Sequence, residues 1–420
     1  MVKVFKFGGA SVKDAAAVRN MASILSAYRE ESLVIVVSAM GKTTNALEAL
    51  LKLSEESDHA NFERSFDSLK KYHLDIAAGL HEIMPHDLMV SLETLFDFLH
   101  KQLLEKNCLS DRKYDQVVSV GELLSTTIVA SWLESEKFRL QHLDARQFIK
   151  TDQRYRSANV NWEKTCEAIA PLRTELQQAV IMLTQGFIGE APDLSTTTLG
   201  REGSDFSAAI FAFCLDAENV TIWKDVPGLL NADPKRFPQT VKIPSISYSE
   251  AIELSYYGAT IIHPKTIKPL QNKGIELHIR SFLEPYGNPT LISHNCQQDA
   301  SVASFIVKDN QLLVSISARD FSFMDEGHLN QIFGKLHHNH IHTNLLQTSA
   351  LSLSLCLDDR EGLADDLIRL FGQDFAVKYN PGLSLLTIRH YNEADINPLI
   401  ESKTVLLEQR SRTTLQFVLA

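Results

Sequence analysis

The sequence has few cysteines and no long apolar run. Five cysteines are spread over 420 residues, and no two form a Cys-x-x-Cys pair: Cys108, Cys166, Cys214, Cys296 and Cys356. Without the spacing that zinc sites and redox dithiols use, we expect reduced thiols in packed positions. The longest apolar runs, such as Leu33–Val37, are far too short to cross a bilayer. We therefore expect no membrane span.

Positive charge is also scarce. The chain has 41 Lys and Arg against 52 Asp and Glu, a formal net charge of −11, whereas bulk nucleic-acid binding needs a basic surface. The first residues carry Lys3 and Lys6 within a strand pattern, which predicts that no signal-peptide core is present. We expect a cytoplasmic protein with neither nucleic acid nor membrane as a partner. Its length exceeds the roughly 250–300 residues of a single core, so two or more domains are expected.

The chain opens with a strand, two glycines and a helix. Residues 2–7 alternate in the manner of a strand, Gly8 and Gly9 end it, and Ser11 is placed to cap the helix that follows. Backbone N–H groups at such a junction attract anions, and Lys6 adds a positive charge. A buried strand with a tight turn is the alternative interpretation of this segment taken alone.

Similar strand–loop–helix units recur over the first 300 residues. Strands are predicted at 33–37, 117–120, 180–185 and 220–223, each followed by a polar loop, whereas residues 62–106 have helical periodicity. Alternating strands and helices with polar loops at the strands' carboxyl ends indicate an open, mainly parallel α/β sheet. Ligands bind along that edge of such sheets.

The pattern changes near residue 298. Residues 312–379 are predicted to run strand, helix, strand, strand, helix, strand, which is a ferredoxin-like unit. The last forty residues contain only strands and one short helical piece. A second copy of the unit, if present, is therefore truncated.

Five motifs occur in the order in which aspartate kinases carry them. They are Lys6-Phe7-Gly8-Gly9, Gly121-Glu122-Leu123-Leu124-Ser125, Thr198-Leu199-Gly200-Arg201-Glu202-Gly203-Ser204-Asp205, Lys224-Asp225-Val226-Pro227-Gly228 and Gly258-Ala259-Thr260-Ile261-Ile262-His263-Pro264. The chain resembles that family over nearly all its length. The resemblance implies an amino-acid-kinase fold, an α/β/α sandwich, as the catalytic domain over residues 1–298. It implies ferredoxin-like α+β ACT domains as a regulatory region over residues 299–420.

The resemblance also implies an activity and its partners. The reaction is the ATP-dependent phosphorylation of the β-carboxylate of L-aspartate, with Mg²⁺ accompanying ATP. The implied effector is lysine, with threonine as the second candidate, and the implied assembly is a homodimer through the ACT domains. Two alternatives stay open from the sequence: another acceptor, such as glutamate, acetylglutamate or a nucleotide, or an inactive protein that only binds an effector.

Individual roles follow from the resemblance. Catalysis is assigned to Lys6, with Asp205 orienting it. The residues implied to hold aspartate are Arg201 at the α-carboxylate, Glu122 at the α-ammonium, and Thr44 and Ser204. Those implied to bind ATP are Lys6, Gly8, Gly9, Ser38, Ala39, Lys224, Asp225 and Lys235. Those implied to bind the effector are Asn344, Gln347 and Thr348, with Asn344 standing where lysine-sensitive members often carry aspartate.

These roles agree with the chemistry. A carboxylate with a pKa near 3.9 is already ionised at neutral pH, so the acceptor needs no general base. Catalysis then consists mostly of alignment and neutralisation of the transferring phosphoryl group. Helix capping is the alternative for Glu122 and Asp205, and a simple turn is the alternative for Asp225. The histidines of 337–342 bridge a helix end and a strand, so we predict solvated side chains rather than a metal site.

Overall fold

The computed structural model describes residues 1–56, 58–105, 110–177, 181–259 and 262–420. Cys108 and two residues of the fifth motif, Thr260 and Ile261, lie outside this set. The chain divides into two compact units. The first contains residues 1–229, 242–252 and 261–296, and the second contains residues 230–241, 253–260 and 297–420.

The first unit is built on a mainly parallel sheet. Its strands are β1 Lys3–Phe7, β2 Leu33–Val37, β3 Leu140–Leu143, β4 Ile181–Gln185, β5 Ile188–Glu190, β6 Thr196–Thr198, β7 Asn219–Lys224, β8 Ser245–Ser247, β9 Glu276–Ser281 and β10 Thr290–Ser293. Eight form one sheet in the order β3-β4-β2-β1-β7-β9-β10-β8, in which only the β9–β10 pair is antiparallel. The predicted open, mainly parallel sheet is confirmed. β5 and β6 pair separately.

Helices cover both faces of this sheet. They are α1 Ala15–Ser26, α2 Thr43–Leu53, α3 His59–Leu80, α4 His86–Leu104, α5 Asp111–Val118, α6 Val120–Ser135, α7 Ala145–Phe148, α8 Trp162–Ile169, α9 Leu172–Leu176, α10 Gly203–Leu215 and α12 Pro264–Lys273. The helix α11 Tyr248–Tyr256 is divided between the two units after residue 252. Phe5, Phe7 and Ile35 face the core formed with α1 to α6. Because side chains alternate along a strand, Lys6 points to the opposite face, where α10 packs.

The register of the parallel strands brings their carboxyl ends to one edge. Phe7 at the end of β1 lies opposite Val37 of β2 and Trp223 of β7, and Val37 lies opposite Gln185 of β4. The loops that follow these strands therefore emerge side by side. All five residues of β2 are buried, as its unbroken β-branched run predicts for a strand covered on both faces.

Two local predictions are wrong. The stretch 117–120 is helical rather than a strand, since α5 ends at Val118 and α6 begins at Val120. These valines are fully buried, and a short apolar run does not distinguish a buried helix from a buried strand. Ser11 does not cap α1, because residues 9–12 form a 3₁₀ turn. Asp14 caps the helix instead by accepting a hydrogen bond from the Ala17 amide at 2.8 Å.

The combined α5–α6 stretch is also apolar enough to resemble a membrane span. In the part of the chain that the structure describes, Asp111–Ser135 is long and apolar enough to cross a membrane, with a mean hydropathy of 1.2 over 18 of its residues. However, 72% of those 18 residues are buried inside the protein. A core helix passes the same test, so this feature is weak evidence for a membrane segment.

The second unit contains one antiparallel sheet. Its strands are β11 Ser304–Ala318, β12 Thr343–Thr348, β13 Ser352–Asp358, β14 Phe375–Arg389, β15 Val405–Arg410 and β16 Thr414–Leu419, and its helices are α13 Glu326–His338, α14 Leu363–Phe371 and α15 Glu393–Ile400. The sheet order is β12-β13-β11-β14-β16-β15. The elements from β11 to β14 have the predicted β-α-β-β-α-β sequence, which confirms the ferredoxin-like unit.

The rest of this unit extends the same sheet. The strands β11 and β14 are each 15 residues long, and their far halves pair from Ser304 opposite Arg389 to Lys308 opposite Leu385. β16 and β15 continue outward from there with α15 as the accompanying helix. The part of the sheet with β15 and β16 therefore shares β11 and β14 with the ferredoxin-like unit.

Residues 230–241 group with the second unit although they precede residue 298. The Phe305 amide donates to the Asn231 carbonyl at 2.7 Å, and the rings of Phe237 and Phe305 lie 5.7 Å apart. Arg236 forms an ion pair with Asp309. A single boundary in the sequence thus does not describe how the chain is partitioned.

Two cysteines are joined rather than reduced. Cys166 of α8 and Cys214 of α10 form a disulfide, with their Cα atoms 4.9 Å apart. Cys296 is free and exposed, and Cys356 is free and buried. The expectation of reduced thiols is therefore wrong for the first pair. The cause is the packing of α8 against α10, which a separation of 48 residues does not reveal.

We predict that this disulfide stabilises the first unit. Closing a loop whose ends are 48 positions apart in the sequence should contribute about 4 kcal/mol to the free energy of unfolding in the chain-entropy model. Urea unfolding of the native protein with and without dithiothreitol measures this, and Cys296→Ser is the matched control. Equal midpoints with and without reductant would contradict the prediction.

Candidate active site

A cavity of about 500 Å³ lies at the edge where the strands end. It is lined by Lys6, Gly9, Ser38, Ala39, Gly41, Thr44, Tyr114, Glu122, Arg156, Phe187, Gly200, Arg201, Glu202, Gly203, Ser204, Asp205 and Lys224. Most of the residues singled out from the sequence are therefore brought together by the fold.

The centre of the cavity wall is an ion pair between Lys6 and Asp205. The Lys6 Nζ atom lies 2.6 Å from Asp205 Oδ1, and the two side chains are only 12% and 4% exposed. Lys6 comes from the central strand β1, and Asp205 from the first turn of α10. A carboxylate is favoured at a helix amino terminus by the helix dipole. The pair therefore joins the middle of the sheet to the helix that covers it.

Gly186 allows α10 to come this close. It follows β4, and a Cβ atom placed on it would lie 2.5 Å from the Ser204 Cβ. The space is thus filled by Ser204, which is 8% exposed. Any larger residue at position 186 would displace the amino terminus of α10, and Asp205 with it.

Gly9 has a comparable steric role on the other side. A Cβ there would lie 2.8 Å from the carbonyl oxygens of both Ala39 and Gly41, and the Gly41 amide donates to the Gly9 carbonyl at 3.0 Å. The loops after β1 and β2 are therefore in backbone contact. At Gly8 an added Cβ would meet only Lys6 Nζ, at the ordinary contact distance of 3.4 Å.

Glu122 is buried on the cavity wall. It belongs to the first turn of α6 and is 2% exposed, so it does not follow a strand as the sequence suggested. Its Oε1 accepts a hydrogen bond from the Ala39 amide at 3.3 Å, and its Oε2 has no hydrogen-bond partner among the described residues. Burial raises the pKa of Glu122 to about 8, against the opposing effects of the Ala39 amide and the Lys6 charge. The site thus contains a buried acid whose charged form has no full cationic partner among the described residues.

The remaining predicted substrate residues also line the cavity. Thr44 is half-buried in the first turn of α2, and Arg201 is exposed in the loop after β6. Arg201 has no ion pair within the described part of the chain. Its neighbour Glu202 has a left-handed backbone (φ 53°), and its Oε2 accepts from the His263 amide at 2.7 Å. The loop is therefore held in place without using the Arg201 guanidinium.

The predicted nucleotide residues are less completely assembled. Ser38, Ala39 and Lys224 line the cavity. Asp225 is exposed in the turn after β7 and does not contribute to the lining. Lys235 is exposed and lies in the segment that groups with the second unit, where its amide donates to Asp233.

The predicted effector residues lie on the edge strand β12. The Asn344 amide nitrogen donates to Gln311 Oε1 and to Asp358 Oδ1, both at 2.8 Å, and its oxygen accepts from Lys308 Nζ at 2.8 Å. Gln347 and Thr348 are exposed. Asn344 is thus engaged within its own sheet, whereas Gln347 and Thr348 are open to solvent.

Sequence reasoning missed several residues that line the cavity. Tyr114 and Phe187 reach it, and so does Arg156, from a loop that follows no predicted strand. The rule that ligands bind at strand ends could not identify Arg156 for that reason. The only signal in the sequence was the basic cluster around Arg154 and Arg156.

These features define a class of protein. The family model described as "Amino acid kinase family" matches residues 1–281, so the chain belongs to the amino acid kinase family. Within that family it is an aspartate kinase. The "Lysine-sensitive aspartokinase 3" of Escherichia coli (strain K12) is 32% identical over 85% of this chain and 78% of its own length. "Aspartokinase 1, chloroplastic" of Arabidopsis thaliana is 30% identical over 87% of this chain and 65% of its own length.

Solved structures agree with this assignment. E. coli aspartokinase III in complex with aspartate and ADP (R-state) is 26% identical, with a TM-score of 0.83 over 100% of this chain and 96% of that one. The same enzyme in complex with lysine and aspartate (T-state) gives a TM-score of 0.81 over 99% and 95%. The predicted fold, an amino-acid-kinase domain followed by ACT-type α+β structure, is thereby confirmed.

We predict that Glu122→Gln stabilises the protein at alkaline pH. Between pH 4.5, the ordinary value, and pH 8 the native carboxyl holds a proton that the unfolded chain has lost. The free energy of unfolding therefore decreases as the pH rises through this window. Glutamine is neutral throughout and avoids that loss, so the variant's advantage in melting temperature should grow from pH 5 to pH 8. An advantage independent of pH would contradict the raised pKa.

Proposed function

We propose that this chain transfers the γ-phosphoryl group of ATP to the β-carboxylate of L-aspartate to give 4-phospho-L-aspartate, the first step towards lysine, threonine and methionine. The observation that carries the proposal is the Lys6–Asp205 pair in a cavity that also contains Glu122 and Arg201. The E. coli relative whose structure contains aspartate and ADP supports the same substrates.

In this proposal Glu122 and Arg201 hold the acceptor. The free Oε2 of Glu122 accepts the α-ammonium of aspartate, which supplies the cationic partner that the buried carboxylate lacks. The Arg201 guanidinium, whose planar fork matches a carboxylate, binds the α-carboxylate. Thr44 and Ser204 complete the pocket from the amino ends of α2 and α10. The β-carboxylate is left as the nucleophile.

Lys6 stabilises the charge on the transferring phosphoryl group. Asp205 holds its ammonium at 2.6 Å, so the charge is positioned before the substrate arrives, which is the condition for effective electrostatic catalysis. In the same proposal the amides of Gly8 and Gly9, which follow β1, donate hydrogen bonds to that phosphoryl group. Since aspartate is already ionised at neutral pH, no side chain needs to remove a proton.

The nucleotide lies along the loops after β1, β2 and β7. Ser38, Ala39 and Lys224 contact it within the cavity, and Asp225 and Lys235 are kept as nucleotide residues on the family resemblance alone. Among the described residues no three His, Cys, Asp or Glu side chains converge on a metal position. Mg²⁺ fits this site as a companion of the phosphates, because it is commonly held by one or two carboxylates together with phosphate oxygens. Asp205, while paired with Lys6, would be the carboxylate that holds the ion, and Mg²⁺ would supply positive charge to offset that of the phosphates.

We assign a regulatory role to residues 299–420. The "lysine-sensitive" relative supports lysine as the effector, and threonine is the second candidate. β12 and β15 are the terminal strands of the sheet in the described part of the chain, and terminal strands favour pairing with a second copy of the chain, which predicts a homodimer through this region. We place the protein in the cytoplasm. Because disulfides are rare in the cytosol, this placement predicts that thiol labelling in cells finds Cys166 and Cys214 reduced, although the structure joins them; finding them oxidised in cells would contradict the placement.

The acceptor is identified by coupled measurement of ADP release with Mg-ATP. Aspartate should support turnover, and glutamate, acetylglutamate and nucleoside monophosphates should not. Turnover with one of the latter instead would replace the acceptor and keep the reaction class. A protein that binds lysine but releases no ADP with any acceptor would be an effector-binding protein only.

We predict that Lys6→Ala lowers kcat by about 10²–10³, because it removes a preorganised charge that acts on the transition state. Arg201→Ala should instead mainly raise KM for aspartate. Lys3→Ala is the matched control, since Lys3 lies on the same strand and pairs with Glu31 away from the cavity. A near-normal kcat in Lys6→Ala would show that Lys6 does not act on the phosphoryl group.

We also predict that lysine inhibits a dimer. Because Asn344 is neutral and already engaged, lysine should inhibit weakly, and Gln347→Ala with Thr348→Ala should weaken the inhibition further. Titration of lysine, threonine and both against activity, with light scattering for mass, measures this. An active monomer indifferent to both amino acids would refute the regulatory assignment and leave the kinase assignment intact.

A further inference from the structure

A second arginine, unused in the mechanism above, reaches the acceptor cavity. Arg156 lines it from the segment between α7 and α8. Its backbone is left-handed (φ 64°), a conformation that costs free energy for a residue other than glycine and persists only where the surroundings enforce it.

A buried carboxylate enforces this conformation. The amide of Arg156 donates to both carboxylate oxygens of Asp115 at 3.0 Å. Asp115, which is fully buried, also accepts from the Thr198 amide at 2.8 Å and the Thr198 hydroxyl at 2.7 Å. Thr198 is the last residue of β6, and Arg201 follows three residues later. One carboxylate therefore fixes the backbones that carry both arginines.

The two loops also touch directly. Gly200 has φ 79°, and a Cβ on it would lie 3.0 Å from Ser157 Oγ and 3.3 Å from the Arg156 carbonyl oxygen. The left-handed backbone and these close contacts both favour glycine at this position. Arg156 and Arg201 consequently project from segments that are packed against each other.

The Arg156 side chain is held at the cavity wall by stacking. Its guanidinium carbon lies 4.0 Å from the centre of the Tyr114 ring, and the Tyr114 hydroxyl donates to Glu48 Oε1 of α2 at 2.5 Å. Stacking fixes the plane of a guanidinium and leaves its N–H edge available. The ion pair with Asp111, at 3.5 Å, involves side chains that are 55% and 65% exposed, so it binds Arg156 only weakly.

The position of this stack indicates which ligand group Arg156 meets. Tyr114 is tied to α2, whose first turn carries Thr44, and Arg156 is packed beside the loop of Arg201. Thr44 and Arg201 both bind the acceptor in the proposed mechanism. The other cations of the cavity wall, Lys6 and Lys224, come from β1 and β7, where the phosphates are placed.

We propose that Arg156 is a second guanidinium for the α-carboxylate of the acceptor and thereby determines specificity for amino acids with that group free. This inference rests on the proposed function, because it assigns a residue to the same acceptor site. Arg156 strengthens binding of the acceptor and leaves the phosphoryl-transfer step to Lys6.

The test compares Arg156→Met with the native enzyme. Methionine retains an unbranched stem against Tyr114 and removes the charge. KM for aspartate should rise about tenfold, as expected for loss of one charge-assisted contact at a partly exposed site. kcat and KM for ATP should stay within about twofold. Arg156→Lys, which keeps the charge without the planar fork, should recover part of the loss. Arg154→Met is the matched control, because Arg154 is exposed on the same segment and does not line the cavity.

A second acceptor separates contact with the α-carboxylate from a structural effect. Aspartate α-amide keeps the β-carboxylate and the ammonium but lacks the α-carboxylate. Arg156→Met should reduce kcat/KM for aspartate and leave that for the α-amide unchanged, so the preference for aspartate falls about tenfold. Equal losses on both acceptors, or no loss on either, would overturn the assignment of Arg156 alone.

Turnover and aspartate binding by the native enzyme are measured first. Native protein that neither turns over nor binds aspartate by calorimetry would overturn the proposed function and this inference together. If Arg156→Met does not fold, Arg156→Lys and Tyr114→Leu give the same comparison of acceptors. Both should lower the preference for the free α-carboxylate, and an unchanged preference in both would overturn the proposal.

Discussion

The site depends on one buried ion pair, between Lys6 and Asp205. Removing two charges from water is costly, and the attraction between them offsets that cost only when their geometry is close. The 2.6 Å separation is obtained because β1 is central in the sheet and α10 begins directly over its end. Gly186 makes room for that beginning, and Gly9 makes room for the adjoining loop. Gly186 is therefore a steric condition for the pair, and Gly9 is one for the contact between the loops after β1 and β2.

The strand-end rule accounts for what the sequence could predict. Lys6, Ser38, Ala39 and Lys224 lie at the ends of β1, β2 and β7, whose apolar runs are long enough to recognise. The motif predicts the right site for Glu122, but the predicted strand before it is wrong. The three valines that precede Glu122 are buried in α5 and α6. Arg156 could not be found this way. Its position depends on a carboxylate 41 residues away in sequence, and only the folded chain brings them together.

The second unit shows a similar limit. The alternation of strands and helices from β11 to β14 was strong enough to give the ferredoxin-like order. The sequence did not show that β11 and β14 each continue past the unit and pair in the part with β15 and β16 as well. Strand length is poorly encoded where bulges interrupt the alternation, as between Lys308 and Gln311. The ferredoxin-like unit and the part with β15, β16 and α15 share two strands, so they cannot move independently. A ligand bound to one part would therefore affect the conformation of the other.

Glu122 links the stability of the chain to its proposed substrate. Burial favours the neutral carboxyl of Glu122, and one of its oxygens has no hydrogen-bond partner among the described residues. An ammonium group bound there would favour the charged form and satisfy that oxygen. Aspartate binding at neutral pH should therefore release a proton, and the bound substrate should stabilise the fold by mass action. A neutral residue would give a more stable empty protein with a weaker hold on the ammonium. The free-energy cost of burying Glu122 is thus offset only when the acceptor is bound.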